Sequence, residues 1–462
     1  MAFTANPFLS ERDRRIFRKE RRLFLLAVSS GTLLNPLNSS MISMALPGIQ
    51  EAFNITFTTA SWVISVFYLA SAIGQPVMGK LGDEFGKKTV FLAGLIVAAA
   101  AAISAPFVSA FSVLLLLRVI QAIGTSALYP SGMGLIREHI HYKQAFALAI
   151  ISIFSSVTVA LGPTIGGLAI AAAGWPAIFT INLPFLLISF GLAWFMFPNG
   201  GERKRRVFTE LIQRLDVWGI ITFSLSFILL LSFLLSIKTG AKFGYGIAGA
   251  LFFILFVRRE LRAKEPFIDL RMFQRHMTLT WVNILFIVLN VYNYALLFGL
   301  PTYFQKEMGL DVPTSGLLLL FIAGFGIVVS PLTGKWVDHA GVVPPLLAGS
   351  FLMLAGALLL TFVFTRISPQ WTIPVLSVMG MGYGFNNVSL QSAMLRAAPP
   401  EEIGIASGLF QTSRYIGAIF SSVLLGIVFG KTATPAQLQL LGWVLIAAAL
   451  FSIWTSFRFK RL

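Results

Sequence analysis

The stretch Pro76-Val-Met-Gly79-Lys80-Leu-Gly-Asp83-Glu84-Phe-Gly86 returns, in the same frame and without a gap, as Pro331-Leu-Thr-Gly334-Lys335-Trp-Val-Asp338-His339-Ala-Gly341. Both copies read P-x-x-G-K-x-x-D-x-x-G, and each ends an apolar segment. The pattern predicts that each copy turns the chain at a membrane surface. A repeat in both parts of a chain points to an architecture of two related halves before it points to any chemistry.

Composition agrees with a membrane setting. Of 462 residues, 56% are hydrophobic and only 11% charged, far from the usage of soluble domains. Apolar runs of roughly 20 residues recur, the length that crosses ~30 Å of hydrocarbon as a helix. The fold class is therefore an all-α membrane protein with the lipid bilayer as its surroundings. The net charge of +17 would suggest a nucleic-acid partner in a soluble chain, but its distribution accounts for it without one. With no cysteine, disulfides and thiolate metal sites are excluded. The first apolar segment, 23–43, follows seven Arg/Lys between Arg12 and Arg22 and runs on through Asn35-Pro36. No cleavage site follows it, so it reads as a retained helix and not a removed leader. The lead itself, 10–22, reads either as a basic helix against anionic headgroups or as a frayed tail.

Fourteen transmembrane helices are predicted, at 23–43, 60–80, 89–104, 111–136, 145–170, 178–197, 216–237, 243–259, 278–300, 314–333, 343–364, 372–394, 404–429 and 438–457. An even number puts both termini on one side. Placing that side in the cytoplasm assigns 28 Lys/Arg to cytoplasmic tails and loops, five to outer loops and two (Arg118, Arg414) to helix interiors. The positive-inside rule thus orients the chain. The domain plan is a basic cytoplasmic N-terminus (1–22), a six-helix bundle (23–200), a linker with two extra transmembrane helices (201–276) and a second six-helix bundle (277–462). The extra pair reads as an inserted hairpin without a charge at the membrane centre.

Gly79-Lys80-Leu81-Gly82-Asp83-Glu84-Phe85-Gly86-Lys87-Lys88 resembles the signature between helices 2 and 3 of the major facilitator superfamily. Arg118-Val-Ile-Gln121-Ala-Ile-Gly124 is similar to that superfamily's helix 4 motif, and Gly162-Pro163-Thr-Ile-Gly166-Gly167 to the antiporter motif of helix 5. Phe179-Thr-Ile-Asn182-Leu-Pro184 and Glu265-Pro266-Phe267-Ile268-Asp269-Leu270 resemble its fourteen-helix drug:proton antiporter branch. The resemblance spans essentially the whole chain. It implies two six-helix bundles around a cavity and alternating access at a bacterial plasma membrane, by a monomer without cofactor or metal. In that frame Gly79, Asp83, Gly86, Lys87 and Asp338 form gating turns, and Asp83 meets either the helix N-terminus after Pro399-Pro400 or a basic residue nearby. A simple turn with topology-setting lysines explains Lys87 and Lys88, but not a carboxylate at the same place in both copies. Gly162 and Pro163 serve close packing and a bend, and Arg414 joins the gating set.

Four helices would line the cavity: Asn35 and Asn38 from helix 1; Arg118, Gln121 and Thr125 from helix 4; Asn290, Asn293 and Tyr294 from helix 9; Tyr383, Asn386, Asn387 and Gln391 from helix 12. Offsets of three or four place such pairs on one face. Amides in hydrocarbon need partners, so bonding between helices is the alternative to substrate contact for each of them. All eighteen acidic residues fall in loops, tails or helix ends. Where the drug:proton antiporters carry an Asp in helix 1, this chain has Asn38, and an amide does not titrate. Its four histidines, His139, His141, His276 and His339, fall at the cytoplasmic surface. The expected function is export of a small amphiphilic or lipid-like substrate with proton coupling in doubt. The alternatives are a lipid or glycolipid translocator, an uncoupled facilitator and a non-transporting sensor. Without a nucleotide loop, metal-spaced histidines or a nucleophile elbow, the sequence does not read as an enzyme.

Overall fold

The computed structural model describes residues 11–140, 144–198, 216–240, 242–263, 266, 268, 270–398, 403–430 and 433–457. Within these helices some side chains, Lys80 and Asp83 among them, lie outside the description. Everything described is helix, turn or short connection, and no strand occurs among the described residues. Among the described residues, ten helical spans are long and apolar enough to cross a membrane, as the apolar runs require.

The N-terminal part holds α1 (Glu11–Thr32), α2 (Leu34–Phe53), α3 (Phe57–Ala60), α4 (Trp62–Phe85), α5 (Lys87–Ser104), α6 (Phe111–Ser126), α7 (Leu128–His139), α8 (Gln144–Ala173), α9 (Ala177–Thr180) and α10 (Leu183–Met196). Next come α11 (Val217–Gly240) and α12 (Phe243–Arg262), which pack on each other. The C-terminal part holds α13 (Arg271–Arg275), α14 (Met277–Lys306), α15 (Val312–Ala340), α16 (Val343–Phe362), α17 (Thr372–Ala397), α18 (Ile403–Phe429) and α19 (Pro435–Ser456). Helix α1 continues into α2 through Leu33, so the basic lead is the start of a long helix and not a separate surface helix.

The repeated motif is helical almost to its end. Helix α4 runs past Pro76 and Asp83 to Phe85, and the turn is Gly86 alone, at φ 99°. In the second copy α15 runs to Ala340 and the turn is Gly341, at φ 78°. Positive φ is cheap only for glycine, which explains the last residue of the frame in both copies. The turns thus fall inside the repeated frame, while the predicted helix ends at 80 and 333 were placed too early.

Packing is largely local within each part: α2 lies on α8, α4 on α6 and α1 on α10, while α15 lies on α17, α14 on α18 and α16 on both α17 and α19. Three seams join the parts, α8 with α15, α4 with α18 and α2 with α14. The helix α11 touches α18 and α4 at one of them.

Candidate transport site between the two parts of the chain

In the N-terminal part, polar residues from three helices and the turn before α10 close a hydrogen-bonded knot around Asn38. Its side-chain oxygen accepts from Gln121 Nε2 at 3.1 Å and from Asn182 Nδ2 at 2.9 Å, and its Nδ2 donates to the Leu34 carbonyl at 2.9 Å. Asn35 Nδ2 donates to Ser71 Oγ and Thr125 Oγ1, both at 3.2 Å. Arg118, only 1% exposed, donates from Nη1 to Gln121 Oε1 at 2.9 Å and from Nε to the Val63 carbonyl at 3.4 Å. Its guanidinium lies 4.2 Å from the Phe67 ring centroid, so part of its charge is met by an aromatic face. The predicted residues Asn35, Asn38, Arg118, Gln121 and Thr125 therefore come together, and chiefly with one another. Asn182, which the sequence showed only inside a family-like motif, is a full member. Ser71 gave no sequence signal.

The C-terminal residues are less united. Asn290 is fully buried and donates to the Phe286 carbonyl of its own helix, leaving its side-chain oxygen without a hydrogen-bond partner. Asn293 and Tyr294 are buried on the same helix. Asn386 faces away to α16, accepting from Ser350 Oγ at 3.1 Å and donating to Met353 Sδ at 3.3 Å. Asn387 is half-buried and Gln391 exposed. A second buried pair went unread in the sequence, Ser413 Oγ donating to Asn283 Oδ1 at 2.9 Å.

Among the described residues, contacts across the parts concentrate at the end remote from the repeat turns. Thr58 Oγ1 donates to the Gly426 carbonyl at 2.9 Å, Ser65 Oγ and Ser422 Oγ lie 2.7 Å apart, and the Phe57 and Phe429 rings meet at 5.5 Å. On the other seam Thr164 Oγ1 donates to the Gly316 carbonyl at 2.9 Å. A methyl at Gly316 would stand 2.6 Å from the Pro163 carbonyl oxygen, so glycine alone permits this approach of backbones. Gly162 likewise packs on Ser40 inside the N-terminal part. Midway along α4, Tyr68 meets Tyr294 edge-on at 5.4 Å and Tyr415 at 5.8 Å, and Gln75 Nε2 donates to the Tyr415 hydroxyl. The described cross-part contacts of this face thus run from Thr58 to Gln75. Beyond it, Gly79 abuts Pro130 of its own part.

At the repeat end, Lys87 pairs with Glu138, and Lys88 Nζ donates to the carbonyls of Trp194 and Phe197 at 3.0 and 2.7 Å. Both lysines tie α5 to neighbouring helices. Asp338 is exposed, with no hydrogen-bond or ion-pair partner among the described residues. The Asp83 side chain and residues 399–402, the two sides of the expected latch, lie outside the described residues.

Two carboxylates are buried where the sequence suggested only helix ends. Asp216 (2% exposed) caps α11 by accepting the Gly219 N–H at 3.2 Å and pairs with Arg259 Nε at 3.0 Å. Glu260, fully buried, accepts the Ile268 N–H at 2.9 Å. The Asp-x-x-Gly spacing was the available signal, because a residue three before a helix N–H is the usual capping donor's partner.

Helices that are apolar outside, polar where they face each other and joined at seams of small residues form the kind of assembly found in membrane carriers. A family model described as the Major Facilitator Superfamily matches residues 28–422. The chain belongs to the major facilitator superfamily and is an integral membrane transporter. It is 53% identical over 445 residues to the uncharacterized MFS-type transporter YwoD of Bacillus subtilis, covering 96% of this chain and 98% of that one. It is 28% identical to the tetracenomycin C resistance and export protein of Streptomyces glaucescens, covering 88% of this chain and 76% of that one. A crystal structure of a D-xylose-proton symporter shares the fold with a TM-score of 0.65 at 13% identity, covering 95% of this chain and 97% of that one.

Proposed function

We propose that this transporter exports amphiphilic or hydrophobic compounds by alternating access, as a monomer and without a carboxylate-based proton relay at its first helix. The observation that carries the reading is the one-ended closure: the parts interlock from Thr58 to Gln75 on α3–α4 and from Pro163 to Gly167 on α8. With the basic loops and both termini in the cytoplasm, the closed end is the outer one. Names of several relatives support the direction, among them the tetracenomycin C resistance and export protein and the multidrug resistance protein Stp of Mycobacterium tuberculosis. In this reading the fourteen-helix plan of the drug:proton antiporters holds, with α11 and α12 as an inserted hairpin between bundles 23–200 and 277–462. The turns at Asp83 and Asp338 gate the inner face.

Asn38 supports weak coupling, since both functions of its amide are used in bonds to Gln121, Asn182 and Leu34. Purified protein in proteoliposomes, loaded with a fluorescent amphiphile, should show carrier-dependent flux that changes little when a pH gradient is imposed. Absence of any flux across a panel of cationic, neutral and anionic amphiphiles would remove the export reading. Flux that collapses without a pH gradient would place a coupling acid in the chain.

A further inference from the structure

We propose that Arg414 is the recognition point for an anionic group on the substrate, so that this carrier takes amphiphilic acids in preference to lipophilic cations. The inference deepens the export reading and rests on it. Arg414 stands inside α18, one residue before Tyr415, at the seam where α18 meets α4 of the other part. Its Nε is buried without a hydrogen-bond partner. Its polar neighbours are the hydroxyls of Tyr383, Tyr294, Tyr415 and Tyr129, and no carboxylate among the described residues joins them. Tyr129 comes from the N-terminal part and the other three from the C-terminal part. A guanidinium is always charged and expensive to hold in a membrane unless it is paired or faces a cavity.

The contrast with Arg118 sharpens the assignment. Arg118 is fixed by Gln121, by the Val63 carbonyl and by the Phe67 ring within one part of the chain. No hydrogen bond holds Arg414 among the described residues, and the Phe286 ring lies 5.5 Å from the guanidinium carbon. Ion pairs among the described residues, Lys87 with Glu138 and Arg259 with Asp216, lie elsewhere. What surrounds Arg414 is suited to an anion that is not part of the protein. Tyr415 accepts from Gln75, which leaves its own O–H to donate. A carboxylate or sulfonate placed there would gain a guanidinium and a phenolic donor together, a charge-assisted arrangement. The Phe286 and Phe410 rings, stacked at 3.6 Å, offer the adjoining apolar wall. Binding by residues from both parts also links occupancy to the way the parts meet.

The test uses fluorescein and tetramethylrhodamine methyl ester, xanthene dyes of similar size and opposite charge, with full-length protein in nanodiscs and fluorescence anisotropy as readout. Fluorescein should bind the wild type more tightly than the rhodamine ester. Arg414→Gln should weaken fluorescein binding by about tenfold or more, and Arg414→Lys should retain part of it, with thermal melting recorded to show that each variant is folded. Preference for the rhodamine ester in the wild type, or fluorescein binding unchanged in folded Arg414→Gln, overturns the assignment. Flux in proteoliposomes separates this inference from the reading beneath it. Arg414-dependent fluorescein binding without flux of any dye upholds the site and sinks export. Rhodamine flux that is indifferent to Arg414→Gln, with no fluorescein binding, sinks the site and leaves export standing.

Discussion

At the residue scale, Asn38 and Arg118 show how a buried polar group decides what a site can do. An Asp at position 38 would keep the acceptor for Gln121 and Asn182, but its second oxygen would face the Leu34 carbonyl now served by the amide N–H. Two oxygens in contact repel unless one carries a proton, so Asn38→Asp creates a titratable group in a dry setting. The variant should acquire dependence on a pH gradient that the wild type lacks, measured as flux in proteoliposomes with and without the gradient. Equal responses of the two proteins would show that position 38 is not coupled to transport. Arg118→Ala should cost about 2 kcal/mol or more through its lost charged hydrogen bonds, read as a lowered melting temperature, with Arg118→Lys restoring little because an ammonium lacks the planar fork. Arg414→Gln should melt close to the wild type, since no bond is lost there. Much of this knot was legible, because offsets of three and four put Asn35 with Asn38 and Arg118 with Gln121 and Thr125 on shared faces. Ser71 and Asn283 were not, since their partners lie on other helices and only packing brings them together. The bonds of Asn386 to Ser350 and Met353 were not legible for a related reason: α17 carries polar residues on several sides, and spacing alone does not say which side meets α16.

At the scale of elements, hydropathy found the membrane-thick middle of each helix and lost its ends. The apolar window of the first segment began at 23, yet α1 starts at Glu11 and α2 ends at Phe53. Backbone hydrogen bonding does not stop where the hydrocarbon does. The repeat's helix ends were short in the same way: its Lys and Asp marked the surface, while each helix continued two residues past the Asp, to Phe85 and Ala340, before the glycine that turns. Small residues were more informative, and the Gly162–Gly167 stretch does lie where α8 crosses α2 and α15. Its counterpart Gly316 was missed because the backbone it touches belongs to the other part of the chain. Gly316→Ala should force α8 and α15 apart, because the added methyl meets a backbone carbonyl at 2.6 Å that has no rotamer to change. We expect severalfold faster labelling of Thr164→Cys by an impermeant maleimide in the Gly316→Ala background. Unchanged labelling would mean that this seam yields without opening.

At the scale of the molecule, the absence of cysteine makes the closed end directly testable. Ser65 and Ser422 hold their hydroxyl oxygens 2.7 Å apart, a spacing from which two thiols reach disulfide distance with small adjustment. The pair Ser65→Cys with Ser422→Cys should crosslink on mild oxidation, with no competing thiol, and flux should stop until a reductant is added. Full flux in the crosslinked protein would show that the parts do not separate at this seam during transport.

That no acid among the described residues faces Arg414 has a consequence for what drives the cycle. An anion that enters opposite a fixed guanidinium and leaves with no proton attached moves one negative charge across the bilayer per turnover. Across an inside-negative potential of ~100 mV, that charge gains about 2.3 kcal/mol on the way out. This corresponds to roughly a fiftyfold outward bias at equilibrium. Such a carrier would run on voltage alone, and an outward-directed anion flux should follow a potassium diffusion potential set with valinomycin and ignore a pH step of equal energy.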